Sequence, residues 1–352
     1  MTSADIDGLV QTLPSKRSNY KPTICKLPQI FGAAVSLPGR CVPPEAQTLH
    51  LNLNLNLTPT SISILRHMNF ALRAIRATTA SPLRRVTTIN IQRRTMQIQS
   101  IPMWTGSHDN YAYVVIDDKT KDAVVVDPAN PPEVLPVLKE LIDSGKINFK
   151  GIINTHHHRD HAGGNAETLK QYPHTPVIGG KDCDQVTTTP KHNETFKIGE
   201  GINVRAIHTP CHTQDSICYF LEDGEEKVVF TGDTLFIAGC GRFFEGTAEE
   251  MHEALNNRLG KLPGDTRVYP GHEYTKSNIK FGKSVLDTPA VRDLVQFCEE
   301  NEETQGKFTI GDELKHNVFM RIEDPEIQKA TGETDPLKVM QKLRDMKNNF
   351  RG

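Results

Sequence analysis

Five side chains that can bind a metal ion lie within six consecutive positions of this 352-residue chain. They follow the strand-like sequence GIIN and are His156, His157, His158, Asp160 and His161. In an extended segment alternate residues point the same way, so His156 and His158 can bind one ion. Asp160 and His161 lie beyond the bend and can turn toward a second ion. The pattern predicts a two-metal site rather than a surface histidine tract, with His157 facing away from both ions.

Three more candidate ligands stand where a predicted strand gives way to a loop. They are His212 in TPCHT, Asp233 in TGD and His272 in YPGHEY. The ends of strands are the usual place for a site in an α/β sheet, so we expect these residues to complete the two metal sites.

Short apolar runs separated by turn residues predict strands from Met96 to about residue 272. The clearest runs are 112–116, 123–126, 151–153, 204–207, 216–220 and 228–231. Helical patterns intervene at 132–142 and 248–259. From Glu273 onward the strand signals stop, and 294–300 and 336–350 are the clearest helical segments. The sequence thus predicts an α/β domain over 96–272 and a small all-helical domain over 273–352.

The first 95 residues differ from the rest in charge. Residues 1–95 contain 12 basic and 3 acidic residues, whereas residues 96–352 contain 29 basic and 40 acidic ones. The arginine-rich segment that begins at Met68 has the composition of a mitochondrial transit peptide. We expect 1–95 to be a disordered extension that carries this signal, and the protein to lie in the mitochondrial matrix, the cytoplasm or both. Met1, Met68 and Met96 are alternative start sites.

The charge and the hydropathy pattern also exclude several partners. A net charge of −11 over residues 96–352 argues against binding to nucleic acid, which depends on basic side chains that neutralise phosphates. No window approaches 18 uninterrupted apolar residues, so no membrane-spanning helix is predicted. We expect a monomer with no nucleic acid and no membrane as a partner.

Taken in order, these motifs resemble the metallo-β-lactamase superfamily and, within it, glyoxalase II, the hydroxyacylglutathione hydrolase family. Three longer strings are similar to glyoxalase II in particular: GDTLFIAGCGRFFEGT (232–247), YPGHEYT (269–275) and GETDP (332–336). The resemblance covers about residues 96–352. It implies an α/β fold, the αβ/βα sandwich of the metallo-β-lactamases with the metals at one edge, followed by a small helical substrate-binding domain.

The resemblance also implies a ligand set. One ion would be held by His156, His158 and His212, the other by Asp160, His161 and His272, with Asp233 as the bridge between them. Zinc is the expected metal, and iron or manganese are alternatives with the same kinds of ligand. A hydroxide held between the ions by Asp233, with Asp160 and His161, is the expected nucleophile. Asp127 in VVVDP is expected to orient the metal loop rather than to bind metal.

Substrate binding is implied in the same way. Arg344 and Lys347 share a face of the last predicted helix and are similar to the pair that binds the glycyl carboxylate of glutathione in glyoxalase II. Further contacts are expected from Arg242, Phe243, Phe244 and Tyr274. Arg242 stands where the family usually has lysine and Phe244 where tyrosine is common, so a hydroxyl contact at residue 244 is expected to be lost.

The expected reaction is the conversion of S-(2-hydroxyacyl)glutathione, chiefly S-D-lactoylglutathione, to glutathione and D-lactate, the second step of methylglyoxal detoxification. Two alternatives stay open. One is a mononuclear iron persulfide dioxygenase of the same fold, which oxygen consumption with glutathione persulfide would favour. The other is a non-catalytic glutathione- or metal-binding protein, which glutathione binding without turnover would favour.

Overall fold

The computed structural model describes residues 96–352. The predicted N-terminal extension lies outside the described residues, together with its transit segment from Met68. None of the helices between Met96 and Gly352 has the length and apolar character needed to cross a bilayer.

Two mixed five-stranded sheets form the centre of the described structure. The first has the order β1-β2-β3-β4-β5 and consists of Met96–Met103, Asn110–Asp117, Asp122–Val126, Asn148–Ile153 and Val177–Ile178. The second has the order β12-β9-β8-β7-β6, and its strands are Arg267–Pro270, Glu226–Gly232, Ile217–Asp223, Ile202–His208 and Thr195–Ile198. A small hairpin joins β10 (Leu235–Phe236) to β11 (Gly239–Cys240).

Helices connect and cover these sheets. Those before residue 273 are α1 (Pro131–Asp143), α2 (Arg159–Ala162), α3 (Asn165–Gln171) and α4 (Ala248–His252), the last continued by a π-helical stretch (Glu253–Arg258) and a 3₁₀ turn (Leu259–Lys261). Those after it are α5 (Thr275–Val285), α6 (Pro289–Glu300), α7 (Ile310–His316), a 3₁₀ turn (Val318–Met320), α8 (Pro325–Thr331) and α9 (Pro336–Asn349). The described chain is therefore an α/β structure followed by helices, which is the predicted fold class.

Strand β2 shows why the sheets form a sandwich. All eight of its residues are buried, because both of its faces are covered. On one face Val114 packs with Leu138 of α1, while on the other Tyr113 packs against the second sheet. The Tyr113 and Phe230 rings, one from each sheet, lie 5.2 Å apart. A helix layer, two sheets and a second helix layer follow from this arrangement.

The second helix layer lies on the outer face of the second sheet. Phe220 and Val268 of that sheet belong to the same hydrophobic core as Phe281 and Leu343 of the C-terminal helices. The predicted boundary at 272–273 therefore falls within one continuous core. This packing brings the last helix, α9, close to the strand ends that carry the candidate ligands.

The structure differs from the predicted elements at several places, and it contains β5, β6, α2 and α3, which were not predicted. The predicted helix over 248–259 begins as an α-helix at Ala248 but widens to a π-helix at Glu253. The first strand, Met96–Met103, and the two-residue strands of the small hairpin were not predicted. The hairpin strands are too short to show a hydrophobic period, and they are fixed instead by tertiary contacts.

Candidate metal centre and substrate cleft

The candidate ligands lie at the ends of strands that belong to both sheets. Strand β4 of the first sheet ends at Ile153 and leads into the loop that carries the histidine motif, with Asp160 and His161 in the first turn of α2. In the second sheet His212 follows β7, Asp233 follows β9 and His272 follows β12. Because β7, β9 and β12 run in the same direction, their ends meet at one edge of the sandwich.

The first ligand group consists of three histidines. The His158 Nδ1 atom lies 3.1 Å from His156 Nε2 and 3.1 Å from His212 Nε2. The ligand atoms of these three residues lie within 4.8 Å of one another, which suits a single ion. The structure therefore brings together the three histidines predicted for the first ion.

The second ligand group lies beside the first. His161 Nε2 is 3.3 Å from His272 Nε2, and Asp160 Oδ2 is 3.5 Å from the same His272 atom. The ligand atoms of this group also lie within 4.8 Å of one another. Asn110, which the sequence analysis did not identify, donates its side-chain amide to the Asp160 carbonyl oxygen at 2.9 Å and so fixes this turn.

Asp233 lies between the two groups. Its Oδ2 atom is 3.4 Å from His212 Nε2 and 3.3 Å from His272 Nε2, so one carboxylate faces a member of each group. Its buried Oδ1 atom lies 3.3 Å from His161 Nε2 and makes no hydrogen bond that meets geometric criteria within the described residues. A buried carboxylate oxygen of this kind is costly unless a cation compensates it, which fits a bridging metal ligand.

In three of the candidate ligand histidines a hydrogen bond at Nδ1 leaves the Nε2 atom free to bind a metal ion. His161 Nδ1 donates to Asp127 Oδ2, His212 Nδ1 to the Arg242 carbonyl oxygen and His272 Nδ1 to the His108 carbonyl oxygen, each at 2.9 Å. The Nε2 lone pairs of these rings therefore converge on the centre, which is the arrangement of metal-binding histidines. Asp127 also accepts hydrogen bonds from the backbone N–H and hydroxyl of Thr155, so it contacts the metal loop as predicted.

The electrostatics of the centre favour a bound cation. Burial opposes ionisation of Asp233, but His272 and His161 outweigh it and hold the pKa of the carboxyl well below its usual value. Burial, reinforced by the charge of His161, holds the pKa of His156 well below 6.5, so this ring stays neutral and can offer a lone pair. Around His161 burial is outweighed by the carboxylates of Asp233 and Asp127, which raise its pKa and favour positive charge there. A divalent cation supplies that charge, so the residues fit the metals implied by their pattern.

Two glycines allow the ligand loops to approach this closely. A Cβ atom on Gly271 would lie 2.6 Å from His161 Cε1 and 2.7 Å from Asp233 Oδ1. A Cβ atom on Gly241 would lie 1.9 Å from the Asp233 carbonyl oxygen. Any larger residue at either position would push a ligand out of place.

A cleft of about 540 Å³ leads from the ligands to the last helix. Arg242, Phe244, Tyr274, Arg344 and Lys347 line it, as expected for substrate contacts. Phe243 does not line the cleft and packs instead against the hydrophobic core. The sequence analysis did not identify the other polar and aromatic residues near its outer end, which are Ser277, Asn278, Asn348, Phe350 and Arg351. The i+4 spacing of Asn348 from Arg344 on the last predicted helix was the available signal.

Two aromatic side chains flank the centre. The ring of Phe244, 60% exposed, lies 5.1 Å from the His212 ring, while Tyr274 stacks on His272 at 4.5 Å. Burial and the charge of Asp233 raise the pKa of Tyr274 to about 12, so its hydroxyl keeps a proton to donate. Access to the two ligand groups is therefore narrowed by the apolar ring of Phe244 on one side and by Tyr274, a hydrogen-bond donor, on the other.

The two cations of the last helix are held differently. Arg344 is 5% exposed, and its Nη1 atom donates to the carbonyl oxygens of Cys240 and Gly241 at 3.1 and 3.4 Å. Its Nε atom is buried and makes no hydrogen bond within residues 96–352. Lys347 donates from Nζ to the Ser277 carbonyl oxygen at 2.8 Å. Lys347 Nζ also donates to the Ser277 hydroxyl oxygen at 3.2 Å. Arg344 therefore supports the cleft wall, whereas Lys347 has one ammonium hydrogen left for a ligand.

Two family models match the chain. The metallo-beta-lactamase superfamily matches residues 106–272, and the hydroxyacylglutathione hydrolase C-terminus matches residues 273–350. The crystal structure of ETHE1 from Myxococcus xanthus superposes with a TM-score of 0.50 at 23% identity, over 72% of this chain and 92% of that one. Fold and site thus define the class: an α/β protein of the metallo-β-lactamase superfamily with a histidine- and aspartate-rich centre for divalent metal ions.

Two curated relatives narrow the class to one family. The probable hydroxyacylglutathione hydrolase glo2 of Schizosaccharomyces pombe is 55% identical over 251 residues, which cover 71% of this chain and 98% of the relative. The cytoplasmic isozyme of hydroxyacylglutathione hydrolase from Saccharomyces cerevisiae is 48% identical and covers 72% of this chain and all of its own length. The chain belongs to the hydroxyacylglutathione hydrolase family, glyoxalase II, and is a hydrolase. The predicted family and fold class are confirmed.

Proposed function

We propose that this enzyme hydrolyses S-(2-hydroxyacyl)glutathione, chiefly S-D-lactoylglutathione, to glutathione and D-lactate. The observation that carries the proposal is the placement of Asp233 between two complete ligand groups at one end of a cleft whose other end presents Lys347. Metal ions bound at the ligand end of the cleft can activate water, and Lys347 at the other end can bind a carboxylate. The names of the relatives supply the substrate class, since hydroxyacylglutathiones are thioesters that carry carboxylates.

We infer two divalent ions, and zinc is our first choice because nitrogen and carboxylate ligands in this number suit it, with iron or manganese as alternatives. His156, His158 and His212 would hold one ion, Asp160, His161 and His272 the other, and Asp233 would contact both. When bound, such a pair lowers the pKa of water toward neutrality and polarises a carbonyl group.

Side chains of the cleft bind and orient the substrate. Tyr274 can donate its hydroxyl proton to the substrate backbone, and Phe244 presents an apolar ring to the substrate beside His212. Lys347 and Arg344 supply positive charge for a carboxylate at the far end. The leaving thiolate of a thioester is stable enough to need little help from a general acid, so no such residue is required.

No side-chain nucleophile is needed either. Cys240 lines the cleft, but burial raises the pKa of its thiol to about 11 despite the opposing charge of Arg344. The thiol therefore stays protonated at neutral pH, and the thiol form is a poor nucleophile. Attack by activated water is the route that the site supports.

The proposal is tested by mixing the metal-loaded full chain with S-D-lactoylglutathione and following the loss of thioester absorbance. We expect turnover with release of one free thiol per thioester consumed. The same preparation is then given glutathione persulfide in an oxygen electrode, where we expect no oxygen uptake. Oxygen uptake without thioester cleavage would favour the mononuclear iron dioxygenase, which the complete second ligand group and the family membership do not favour.

Replacing Lys347 with alanine is expected to raise KM about tenfold or more with little change in kcat. A hydrogen bond to a charged group contributes about 1.5–3 kcal/mol, and this contact is remote from the reacting carbon. Steady-state kinetics with S-D-lactoylglutathione measures both constants. The matched control is Lys342→Ala, an exposed lysine on the same helix that is expected to behave like the wild type. Equal KM values for the two variants would contradict the assignment.

Substrate binding should weaken at alkaline pH. Burial, together with the nearby charge of Arg344, lowers the pKa of Lys347 to about 8. Lys347 is charged below that pH and neutral above it, so attraction for a carboxylate is lost as the pH rises through about 8. We expect kcat/KM, which reports the free enzyme, to fall on that alkaline limb. In Lys347→Arg, whose side chain stays charged, the fall should be absent.

We also propose that the protein serves the mitochondrial matrix, the cytoplasm or both. The support is the composition of residues 1–95, which are rich in arginine and poor in acidic residues from Met68 onward. The N-terminal residue of the mature protein in each cell fraction tests this. Mature protein that begins near residues 90–96 in mitochondria is the expected result, and cytosolic protein alone would contradict the targeting signal.

A further inference from the structure

A buried carboxylate outside the ligand set joins the loops that carry the first ligand group. The side chain of Asp215 has no exposed surface, and it lies three residues after His212. Neither the family resemblance nor the reaction gives it a role. Because a buried charge is costly unless it is paired and hydrogen-bonded, its contacts identify what it stabilises.

On one side Asp215 holds the histidine motif. The Oδ1 atom accepts a hydrogen bond from His157 Nδ1 at 2.8 Å and faces the His157 backbone N–H at 3.5 Å. His157 stands between the ligands His156 and His158, and its ring points away from the centre, as predicted. Asp215 therefore fixes both the ring and the backbone of His157, and the directions of the neighbouring ligands His156 and His158 depend on that residue.

On the other side Asp215 holds the loop of the third ligand. The same Oδ1 atom accepts a hydrogen bond from the Thr213 hydroxyl at 2.7 Å, and Thr213 directly follows His212. A second contact joins the same two loops, because His157 Nε2 lies 3.7 Å from Glu245, whose carboxylate accepts the Gln214 backbone N–H at 2.6 Å. Two loops from different sheets are thus tied together beside the first ligand group.

The residues around the Asp215 carboxylate leave room for a side chain of this size and for little more. A Cβ atom on Gly180 would lie 2.4 Å from Asp215 Oδ2, so only glycine leaves room for the carboxylate. The buried thiol of Cys183 lies 3.6 Å from the same oxygen. The pocket accepts a carboxylate at this position and leaves little space for anything larger.

We propose that Asp215 is a positioning residue that holds His156, His158 and His212 in the arrangement needed for the first ion. It contacts no substrate and acts through His157 and Thr213. The inference rests on the metal assignment of the proposed function but not on the identity of the substrate. Groups that orient metal ligands typically contribute 10- to 100-fold in metal affinity.

A third metal ion is the rival explanation for the same cluster. The ligand atoms of His157, Asp182 and Asp215 also lie within 4.8 Å of one another. However, Asp215 Oδ1 already accepts hydrogen bonds from His157 and Thr213, which leaves the carboxylate satisfied without an ion. We therefore favour the positioning role and let the experiment decide.

The test measures metal binding rather than turnover alone. The full-length wild type and Asp215→Asn are dialysed against buffers of graded free Zn²⁺, and the ions bound per chain are counted. We expect two ions in each protein, with one of them bound about tenfold more weakly in Asp215→Asn. In the Co²⁺-loaded proteins the visible bands of one ion should shift while those of the other stay unchanged. Asp182→Asn, the same change at an exposed neighbour, is the matched control and should bind metal like the wild type.

A second variant keeps the test decisive if Asp215→Asn folds poorly. His157→Phe removes the donor and should weaken the same ion, and the double variant should lose less than the sum of the two single losses. Wild-type affinity for both ions in folded Asp215→Asn or His157→Phe would overturn the proposal. A third ion in the wild type, lost in both Asp182→Asn and Asp215→Asn, would establish the metal site instead. If the wild type binds two ions as described but does not cleave the thioester, the proposed substrate fails while the positioning role stands.

Discussion

Replacing Asp233 with asparagine is expected to lower kcat for thioester hydrolysis on the order of a thousand-fold, as when a group that stabilises transition-state charge is removed. The carboxylate faces a histidine of each ligand group at 3.3–3.4 Å. Asparagine keeps the size of the side chain but removes its charge and one of its two oxygen ligands. The two proposed ions would then lose their common ligand. Steady-state kinetics and metal content, measured on the same sample, give the result.

The control for this variant is Asp265→Asn. Asp265 is an exposed aspartate whose carboxylate forms an ion pair with the Lys227 ammonium at 2.9 Å and lies outside the candidate metal centre, so full activity is expected there. Asp233→Asn that keeps two ions and wild-type kcat would show that Asp233 does not bridge the ions.

Removal of the metals is expected to abolish turnover and to lower the melting temperature. An ion that binds only the folded state adds about 4 kcal/mol to the free energy of unfolding when its free concentration is a thousand times its Kd. For a chain of this size such a loss corresponds to a fall in Tm of roughly 8–16 °C per ion. The effect is large because ligands from both sheets meet at the centre and are separated on unfolding.

Differential scanning fluorimetry and a thioester assay on the chelator-treated protein measure both changes. Zn²⁺ should restore Tm and turnover together, since both depend on the same ligands. Mg²⁺, which prefers oxygen ligands and keeps its water, should restore neither. Turnover that survives complete removal of metal would contradict the proposed mechanism.

The positions of the candidate ligands could be predicted because they depend on local sequence. An extended segment places His156 and His158 on one side, and strand ends place the other ligands in loops. The α/β arrangement followed by helices was also visible in the hydrophobic pattern. The strand Met96–Met103 was missed, because polar and apolar residues alternate only over its first four residues, MQIQ, before the polar pair Gln99 and Ser100 interrupts the period. It is an edge strand, and its pairing with Asn110–Asp117 is settled by tertiary contacts.

Contacts between distant loops could not be predicted. Arg344 bonds to Cys240, 104 residues earlier, and Asn110 bonds to Asp160, 50 residues later. Asp215 gave no signal, because a single aspartate in a loop is indistinguishable from a surface residue until its neighbours are known. The resemblance predicts Arg344 as a substrate contact, whereas its bonds to two backbone carbonyls add a structural role. Pairings of this kind depend on the fold as a whole rather than on a local period.

The order of the elements along the chain has a consequence for biosynthesis. Every candidate ligand precedes residue 273, whereas Arg344 and Lys347 lie in the final helix, Pro336–Asn349. At about 5–20 residues per second, a ribosome needs roughly 4–15 seconds to add the 75 residues from 273 to Lys347. Every candidate metal ligand is therefore synthesised before the helix that completes the shared hydrophobic core and carries Arg344 and Lys347. A chain terminated before residue 336 would keep the sequence of every candidate metal ligand. It would lose Arg344 and Lys347 together with the core residue Leu343, and so both the proposed carboxylate contact and part of the packing behind the ligand loops.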